Sequence, residues 1–370
     1  MLGVRNIISR IKDVTQKENF LFVCPANCGY EQISLPADSE LFIYQDNHSF
    51  VKRYWFDRVK LIKIIKKYEP DVILSCTNEG ISNAPVPQAM LFHTAYPVYS
   101  KKHYPQITTK DRLRFNLLKR QITKSLPTTN LVLTQTPIMK QRFAKTFPYP
   151  EDQIKILPWP VPSDINPSST TKPPSVIDSS SDNFYILILT RYLAHRNPRI
   201  IISLYDQFKD QLEDKKIKFI TTIEPDDYPG AKSFLEQIQR NGVKNIVINV
   251  GSLAREEVLG YYLHCHVLWL PTLAETLCLP YLEAMAMGLP VMAPDLDFAR
   301  YVCCDAATYY NPFDIESIFR ALMRITQRKE LRQTLTIRGK RQLADNNKFA
   351  KNWDELAKSI MKSIANLVGK

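Results

Sequence analysis

Two glutamates eight positions apart, Glu275 and Glu283, lie in the stretch of this chain whose residues are best suited to chemistry. The run between them ends in Leu279 and Pro280, and proline is favoured in the first turn of a helix, where its missing N–H costs nothing. A helix is therefore predicted to begin near Leu279 and to end before Gly288, which suits a left-handed cap. Backbone N–H groups at such a helix start attract phosphate and sugar oxygens, with one acid on the loop and the other inside the helix.

Short apolar runs that are typical of buried strands recur along the chain, and segments with helical spacing separate them. This alternation predicts an α/β protein with parallel sheets that are covered on both faces. The expected strands are 20–24, 41–44, 71–76, 89–92, 131–134, 154–157, 184–189, 217–222, 245–248, 267–270 and 290–293. The expected helices are 55–67, 137–143, 255–264, 315–325 and 353–367.

The length of 370 residues predicts two domains with ample cores. Residues 162–182 are rich in proline and serine and contain few core-forming side chains, so they are expected to link the domains. A first domain is therefore expected over residues 1–161 and a second over 183–345.

Composition limits the class of protein. No apolar run approaches the roughly 20 residues of a membrane span, and the N-terminus lacks the apolar core of a signal peptide, which predicts a cytoplasmic protein. The seven cysteines show neither metal-ligand nor disulfide-framework spacing, which fits a reducing compartment. The net charge of +12 indicates an anionic partner, either nucleic acid, lipid headgroups or phosphorylated substrates. No nucleic-acid-binding motif is present, so nucleic acid is not expected to be the partner.

Nearly all of the excess positive charge precedes residue 150. At the N-terminus, Val4, Ile7, Ile8 and Ile11 fall on one helical face. This pattern suits a basic amphipathic helix on a membrane surface, and it suits a helix packed on its own domain at least equally well.

The residues from 280 to 291 match a known signature. Around Glu275, the register of Pro280, Glu283, Ala284, Met285, Ala286, Gly288, Pro290 and Val291 resembles the donor site of family 4 (group 1) retaining glycosyltransferases, which have the GT-B fold. The resemblance implies two Rossmann-like, doubly wound domains facing a central cleft, with the donor domain at 183–345, the acceptor side at 1–161 and a final helix within 346–370 that crosses back. The family usually writes Glu-Gly-Phe-Gly-Leu-Pro where this chain has Glu-Thr-Leu-Cys-Leu-Pro at 275–280, so both loop glycines are replaced.

The resemblance also implies residue roles. Glu283 would bind the donor ribose, and Glu275 would bind the hydroxyls of the donor sugar. The donor diphosphate would be held by two cations and the helix start, namely Arg191, Arg196, Leu277, Cys278 and Leu279. His93, at the end of an expected strand, would reach the donor sugar. Gly29 is expected in the first strand-to-helix loop, where a donor or acceptor would bind.

The implied activity is transfer of a sugar from a UDP- or GDP-sugar to a glycan or lipid-linked acceptor with retention of configuration, in surface polysaccharide or glycolipid synthesis. No cofactor and no metal are expected, and Asp295 and Asp297 follow a strand rather than facing the diphosphate. The basic first half favours a peripheral position on the anionic inner face of the cell membrane. The alternative is a non-catalytic sugar-nucleotide or polyanion-binding protein, because the loop glycines are lost and Trp159 lies in an altered segment.

Overall fold

The computed structural model describes residues 2–14, 18–36, 39–45, 56–162, 164–165, 172–240, 242–344 and 348–368. The chain forms two compact units. The first comprises Met1–Pro97, Phe115–Pro160 and Lys348–Lys370, and the second comprises Val98–Arg114 and Val161–Asn347. Residues 98–114 thus group with the second unit, whereas the sequence division placed them in the first domain.

The first unit contains two parallel sheets. Its strands are β1 (Phe20–Pro25), β2 (Ser39–Tyr44), β3 (Ile73–Ser75), β4 (Gln88–Leu91), β5 (Leu131–Thr134) and β6 (Ile154–Ile156). Its helices are α1 (Leu2–Val14), α2 (Leu61–Tyr68), α3 (Thr109–Ser125, which begins in the second unit), α4 (Pro137–Thr146) and the C-terminal helix Trp353–Ala365. β3 to β6 pair in sequence order, while β1 and β2 pair with each other. Every residue of β4 is buried, as is expected of a central parallel strand covered on both faces.

The second unit is built on one six-stranded parallel sheet. Its strands are β7 (Phe184–Ile188), β8 (Ile217–Thr221), β9 (Val247–Asn249), β10 (Val267–Trp269), β11 (Val291–Pro294) and β12 (Ala307–Tyr310). Its helices are α5 (Ile200–Asp214), α6 (Ala231–Arg240), α7 (Arg255–His264), α8 (Leu279–Met287), α9 (Asp297–Cys303), α10 (Ile315–Gln327) and α11 (Lys329–Leu343); the C-terminal helix Trp353–Ala365 of the first unit is α12.

The strand order of this sheet creates a crevice. The order is β12-β11-β10-β7-β8-β9, so the chain winds one way after β7 and the other way after β10. In open parallel sheets, ligands bind outside the carboxyl ends of the strands at such a reversal point. The loops after β7 and β10 are therefore the ones that the fold brings together.

Most predicted elements are confirmed, and α7 begins and ends where expected. Helix α8 begins at Leu279, and Gly288 caps it at φ 76°. The strand expected at 245–248 is displaced to β9, because residues 243–245 form a 3₁₀ turn. Helices α3, α5, α6, α9 and α11 were not predicted. Of the helix expected at 55–67, Trp55 lies outside the described residues. No helix in the described ranges is both long and apolar enough to cross a bilayer.

Helix α1 is part of the first unit's core. Val4, Ile7, Ile8 and Ile11 are each at most 9% exposed, and α1 packs against α12. The protein itself therefore covers the apolar face of α1. Of the two interpretations that the sequence left open, the structure supports the helix packed on its own domain.

Trp159 explains why a glycine lies in the first turn of α1. The Trp159 ring packs edge-on against Trp353 of α12, with ring centroids 5.6 Å apart. A Cβ added to Gly3 would lie 2.0 Å from the Trp159 ring, closer than two carbons can approach. The altered segment that contains Trp159 therefore has a structural role.

We predict that Gly3→Ala destabilises the protein by about 1–3 kcal/mol, because the new methyl group overpacks the site against Trp159. The higher helix propensity of alanine would recover only about 1 kcal/mol. Urea denaturation measures the difference, with Ser9→Ala in the same helix as the control, expected within about 0.5 kcal/mol of wild type. A Gly3→Ala variant at least as stable as wild type would contradict this packing.

Candidate donor site

The loops that follow β7 and β10 are hydrogen-bonded to each other. The Leu273 N–H donates to the His195 carbonyl oxygen at 2.7 Å, and the Thr272 hydroxyl lies 3.4 Å from the same oxygen. His195 is buried, and burial, followed by the neighbouring Arg196, lowers the pKa of its imidazole well below the usual value. The imidazole is therefore neutral at pH 7 and adds no charge to the crevice.

Arg196 and Glu275 form an ion pair across these two loops. Arg196 Nη1 lies 2.7 Å from Glu275 Oε1, and the two side chains are 20% and 11% exposed. The Thr272 hydroxyl donates to the same carboxylate oxygen at 3.0 Å. Burial raises the pKa of Glu275, while Arg196 and the Thr272 hydroxyl oppose that rise. The guanidinium thus compensates much of the cost of a carboxylate at the bottom of the crevice.

Arg191 is the exposed cation of the β7 loop. Its side chain is 70% exposed, and Nε lies 2.6 Å from Oδ1 of Asp227, which is 3% exposed. The other oxygen of Asp227 accepts the backbone N–H groups of Tyr192 at 2.8 Å and Glu224 at 3.1 Å. Asp227 therefore fixes one edge of the guanidinium and leaves most of the side chain open to solvent.

Glu283 lies inside α8 and is 4% exposed. Its Oε2 accepts the Tyr262 hydroxyl at 2.7 Å, and its Oε1 lies 2.9 Å from Arg255 Nη2. Arg255 Nε also donates to Asp164 at 2.5 Å. Burial alone would lower the pKa of Arg255, but its bonds to Asp164 and Glu283 raise that pKa overall. Glu283 is therefore held as a buried, charge-compensated carboxylate.

Of the two replaced glycine positions in the loop between the acids, Cys278 has left-handed backbone and Thr276 does not. Cys278 adopts φ 64° and ψ 69°, a left-handed conformation that costs a non-glycine residue roughly 1–2 kcal/mol. Asn197, in the loop after β7, also adopts a positive φ, of 49°. Asparagine tolerates this region better than most residues. Asn197 and Cys278 thus both hold left-handed backbone without being glycine.

Helix α8 starts directly from that loop. Leu277 and Cys278 are buried, and no side chain caps the helix start at Leu279. Burial, followed by the nearby Glu275, raises the pKa of the Cys278 thiol well above its usual value. The thiol therefore stays protonated and is unsuited to act as a nucleophile.

The remaining candidate residues, His93 and Gly29, lie in the first unit. His93 follows β4, as expected, and its N–H donates to Asn78 Oδ1 at 2.6 Å. Burial lowers the pKa of His93 to about 4, so its ring is neutral at pH 7.

The prediction that Gly29 lies in a strand-to-helix loop is wrong. Described residues 26–36 contain only turns and irregular backbone, and β2 begins at Ser39. Gly29 has φ 72°, and an added Cβ would lie 2.9 Å from the Arg5 guanidinium carbon. Close packing against α1 thus accounts for this glycine.

Acids and cysteines elsewhere form no metal cluster in the ranges that the structure covers. Asp295 pairs with Arg300, with Nε and Oδ1 2.6 Å apart. Asp297 lies at the start of α9 and accepts the Phe298 N–H at 2.9 Å. All seven cysteines are free thiols.

Comparison with known proteins supports the resemblance. The family model described as "Glycosyl transferases group 1" matches residues 171–342, which include the loops after β7 and β10. Residues 171–342 form a group 1 glycosyltransferase domain. The resemblance to this family is confirmed, and the retaining mechanism stays a prediction.

Curated relatives of this glycosyltransferase domain act on sugars. The O-antigen chain mannosyltransferase B of Escherichia coli is 25% identical over 64% of this chain and 61% of its own length. The alpha-monoglucosyldiacylglycerol synthase of Streptococcus pneumoniae is 23% identical over 71% of this chain and 62% of its own length. The alignments thus span less than two thirds of either relative.

Among solved structures, Anabaena HepE in complex with UDP and glucose superposes with a TM-score of 0.71, at 17% identity, over 98% of this chain and 95% of that one. At this identity the likeness is one of fold, and the expected GT-B fold is confirmed.

Four residues that contact the candidate site residues were not found from the sequence: Asp227, Arg255, Tyr262 and Tyr99. Each lies outside the signature and contacts a candidate site residue only in the folded chain. The sequence offered a signal for Arg255 alone, because Arg255 begins a predicted helix, α7, shortly after the strand β9.

We predict that the usual order of stability, in which an alanine variant is more stable than a glycine variant, is reversed at position 278. Because Cys278 has φ 64°, Cys278→Gly should be as stable as Cys278→Ala or more stable by about 1 kcal/mol. The matched control is Cys265, which is also buried but has φ −81°, so Cys265→Gly should be less stable than Cys265→Ala by about 1 kcal/mol. The same ranking at both sites, measured by thermal unfolding, would refute the left-handed backbone at Cys278.

Proposed function

We propose that this protein transfers a sugar from a UDP- or GDP-sugar to a glycan or lipid-linked acceptor, with retention of configuration. The observation that carries the proposal is the Arg196–Glu275 pair at the reversal point of the sheet, next to the start of α8. This arrangement places a cation, an acid and a helix start in the crevice where such folds bind ligands.

The diphosphate is the group that needs stabilisation in this reaction. When the bond between the sugar C1 and the diphosphate breaks, negative charge develops on the leaving oxygen. Arg191, Arg196 and the N-terminus of α8 supply positive charge for it. Glu275 would accept hydrogen bonds from the hydroxyls of the donor sugar, and Glu283 would accept them from the hydroxyls of the ribose. His93, neutral at pH 7, would contact the donor sugar as a hydrogen-bonding group.

Retention is proposed to follow a front-face route. The acceptor oxygen bonds to C1 on the face that the diphosphate leaves, and the acceptor proton passes to the leaving phosphate oxygen. No carboxylate is required to form a covalent intermediate, which fits a Glu275 that is already engaged by Arg196 and Thr272.

The class of acceptor is inferred from the relatives. One is named for O-antigen chain synthesis and another for synthesis of a glucosyl diacylglycerol, and both names describe sugars carried on lipid or on surface glycans. The UDP in the HepE structure supports a nucleotide-sugar donor.

We predict that Arg191→Ala lowers kcat/KM by about 10- to 100-fold, because one charged contact with the diphosphate contributes about 1.5–3 kcal/mol. The melting temperature should stay within about 2 °C of wild type, since the side chain is 70% exposed. Arg320→Ala is the control, because Arg320 is also exposed and paired with an acid but lies on α10. The assay measures nucleoside diphosphate released from UDP- and GDP-sugars, and full activity of Arg191→Ala would show that the donor site is misplaced.

The proposed enzyme uses side chains and backbone N–H groups, rather than a metal ion, at the diphosphate. Activity should therefore survive about 5–10 mM EDTA, which is ample to strip a weakly held divalent cation. Loss of activity in EDTA that is restored by Mg²⁺ or Mn²⁺ would contradict this part of the proposal.

A membrane-facing surface is proposed on α3. Its exposed side chains include Lys110, Arg114, Arg120 and Lys124, which fall within about 120° of arc at 100° per residue, together with Leu113, which is 62% exposed. The acid of this helix, Asp111, accepts the Thr108 and Tyr228 hydroxyls, at 2.6 Å each. Each basic residue near an anionic surface contributes about 1 kcal/mol, so four would give reversible binding.

We predict that the protein sediments with vesicles containing anionic lipid, and that salt weakens the binding. The double variant Arg120→Glu/Lys124→Glu should reduce the bound fraction at least about fivefold. Lys232→Glu/Lys244→Glu, which changes the net charge equally on exposed positions of the second unit, is the control. Equal recovery of wild type in the supernatant with anionic and neutral vesicles at low salt would rule out the membrane proposal.

A further inference from the structure

The segment 98–114 contacts Glu275, the residue that precedes Arg196, and the residue that follows Asp227, the partner of Arg191. We propose that this segment, here called the strap, positions the donor site and that Tyr99 is a positioning residue for Glu275. The inference rests on the proposed function and concerns a segment that lies outside the donor-domain signature in the sequence.

The first contact is at the acid loop. The Tyr99 hydroxyl lies 3.1 Å from the carbonyl oxygen of Glu275 and 3.2 Å from Asp297 Oδ1. It can thus link the loop after β10 to the start of α9. Tyr99 is 7% exposed, and its ring packs edge-on against His103 at 5.2 Å. A buried hydroxyl on the main chain of Glu275 fixes where that residue's carboxylate is presented to Arg196.

The second contact is at the cation loop. The Tyr104 ring lies 6.4 Å from the His195 ring, edge to face, and Tyr104 is 4% exposed. The carbonyl of His195 is the acceptor that ties the two loops together, and the next residue is Arg196. Tyr104 therefore packs against the side chain of the residue that precedes the buried cation.

The third contact is next to the partner of Arg191. The Tyr228 hydroxyl donates to Asp111 Oδ2 at 2.6 Å and accepts the Thr108 N–H at 3.3 Å. Tyr228 directly follows Asp227, whose carboxylate holds Arg191. The strap thus fixes the chain on which the exposed cation depends.

These three contacts have one common effect. Glu275 comes from the loop after β10, and Arg196 and Arg191 come from the loop after β7. The same 17-residue segment from Val98 to Arg114 contacts Glu275 itself, the residue before Arg196 and the residue after the partner of Arg191. Loss of a contact should leave all three charged residues present but allow the distances between them to vary more. The expected signature is weaker donor binding with little change in the stability of the protein without ligand.

The test compares Tyr99→Phe and Tyr228→Phe with wild type. Each substitution removes one strap hydroxyl and keeps the ring. Binding of UDP and GDP is measured by calorimetry and by the rise in melting temperature that each nucleotide causes. For the nucleotide that wild type binds, each variant should bind about 3- to 10-fold more weakly, the effect of losing one buried hydrogen bond. The melting temperature without nucleotide should stay within about 3 °C of wild type.

Tyr205→Phe is the matched control. Tyr205 lies in the second unit too, and its hydroxyl donates to Glu213 at 3.0 Å in a part-buried bond within α5. It should leave nucleotide affinity unchanged. Unchanged affinity in both strap variants, with binding by wild type, would overturn the strap proposal alone. If wild type binds neither nucleotide nor any UDP- or GDP-sugar, the proposed function fails and the strap proposal fails with it.

Discussion

The ion pair between Arg196 and Glu275 depends on the order of strands in one sheet. β7 and β10 are neighbours although 78 residues separate their ends, Ile188 and Val267, and both run in the same direction. Their carboxyl ends therefore open on the same crevice, and the two loops that follow must share it. The 2.7 Å pair between these two loops is the consequence.

Three acids in the second unit with largely buried side chains are each compensated by an arginine. Glu275 is compensated by Arg196, Glu283 by Arg255 and the Tyr262 hydroxyl, and Asp227 by Arg191 and two backbone N–H groups. An unpaired buried carboxylate costs several kcal/mol, so Glu275 and Glu283 require their arginine partners before any ligand arrives, whereas Asp227 keeps two backbone N–H donors without Arg191. Arg196, which we propose for the donor diphosphate, therefore also stabilises the fold.

Sequence reasoning succeeded where local chemistry decides the structure. The start of α8 at Leu279 follows from Pro280, and its end follows from Gly288, because both residues impose their backbone geometry. The strands followed from continuous apolar runs, which only a doubly covered sheet can bury. The family signature located Glu275 and Glu283 for the same reason, since it is contiguous in the chain.

Sequence reasoning failed where contacts join distant residues. Nothing in the spacing of Tyr99 or Asp227 indicates what these side chains touch, and the grouping of residues 98–114 with the second unit is visible only in three dimensions. Gly29 was misjudged because the turn after β1 leads to another strand, and its glycine is explained by Arg5. Val4 to Ile11 showed an apolar face but could not show that α12 covers it.

The central claim is that the crevice between the β7 and β10 loops transfers a sugar. The most direct test is proton NMR of the product formed from a panel of UDP- and GDP-sugars with a lipid-linked glycan or diacylglycerol acceptor, using wild type and Glu275→Gln. The account predicts a new glycoside with the anomeric configuration of the donor, formed together with free nucleoside diphosphate, and little or no product with Glu275→Gln. Nucleotide-sugar binding without transfer to any acceptor, or an inverted product, would contradict it.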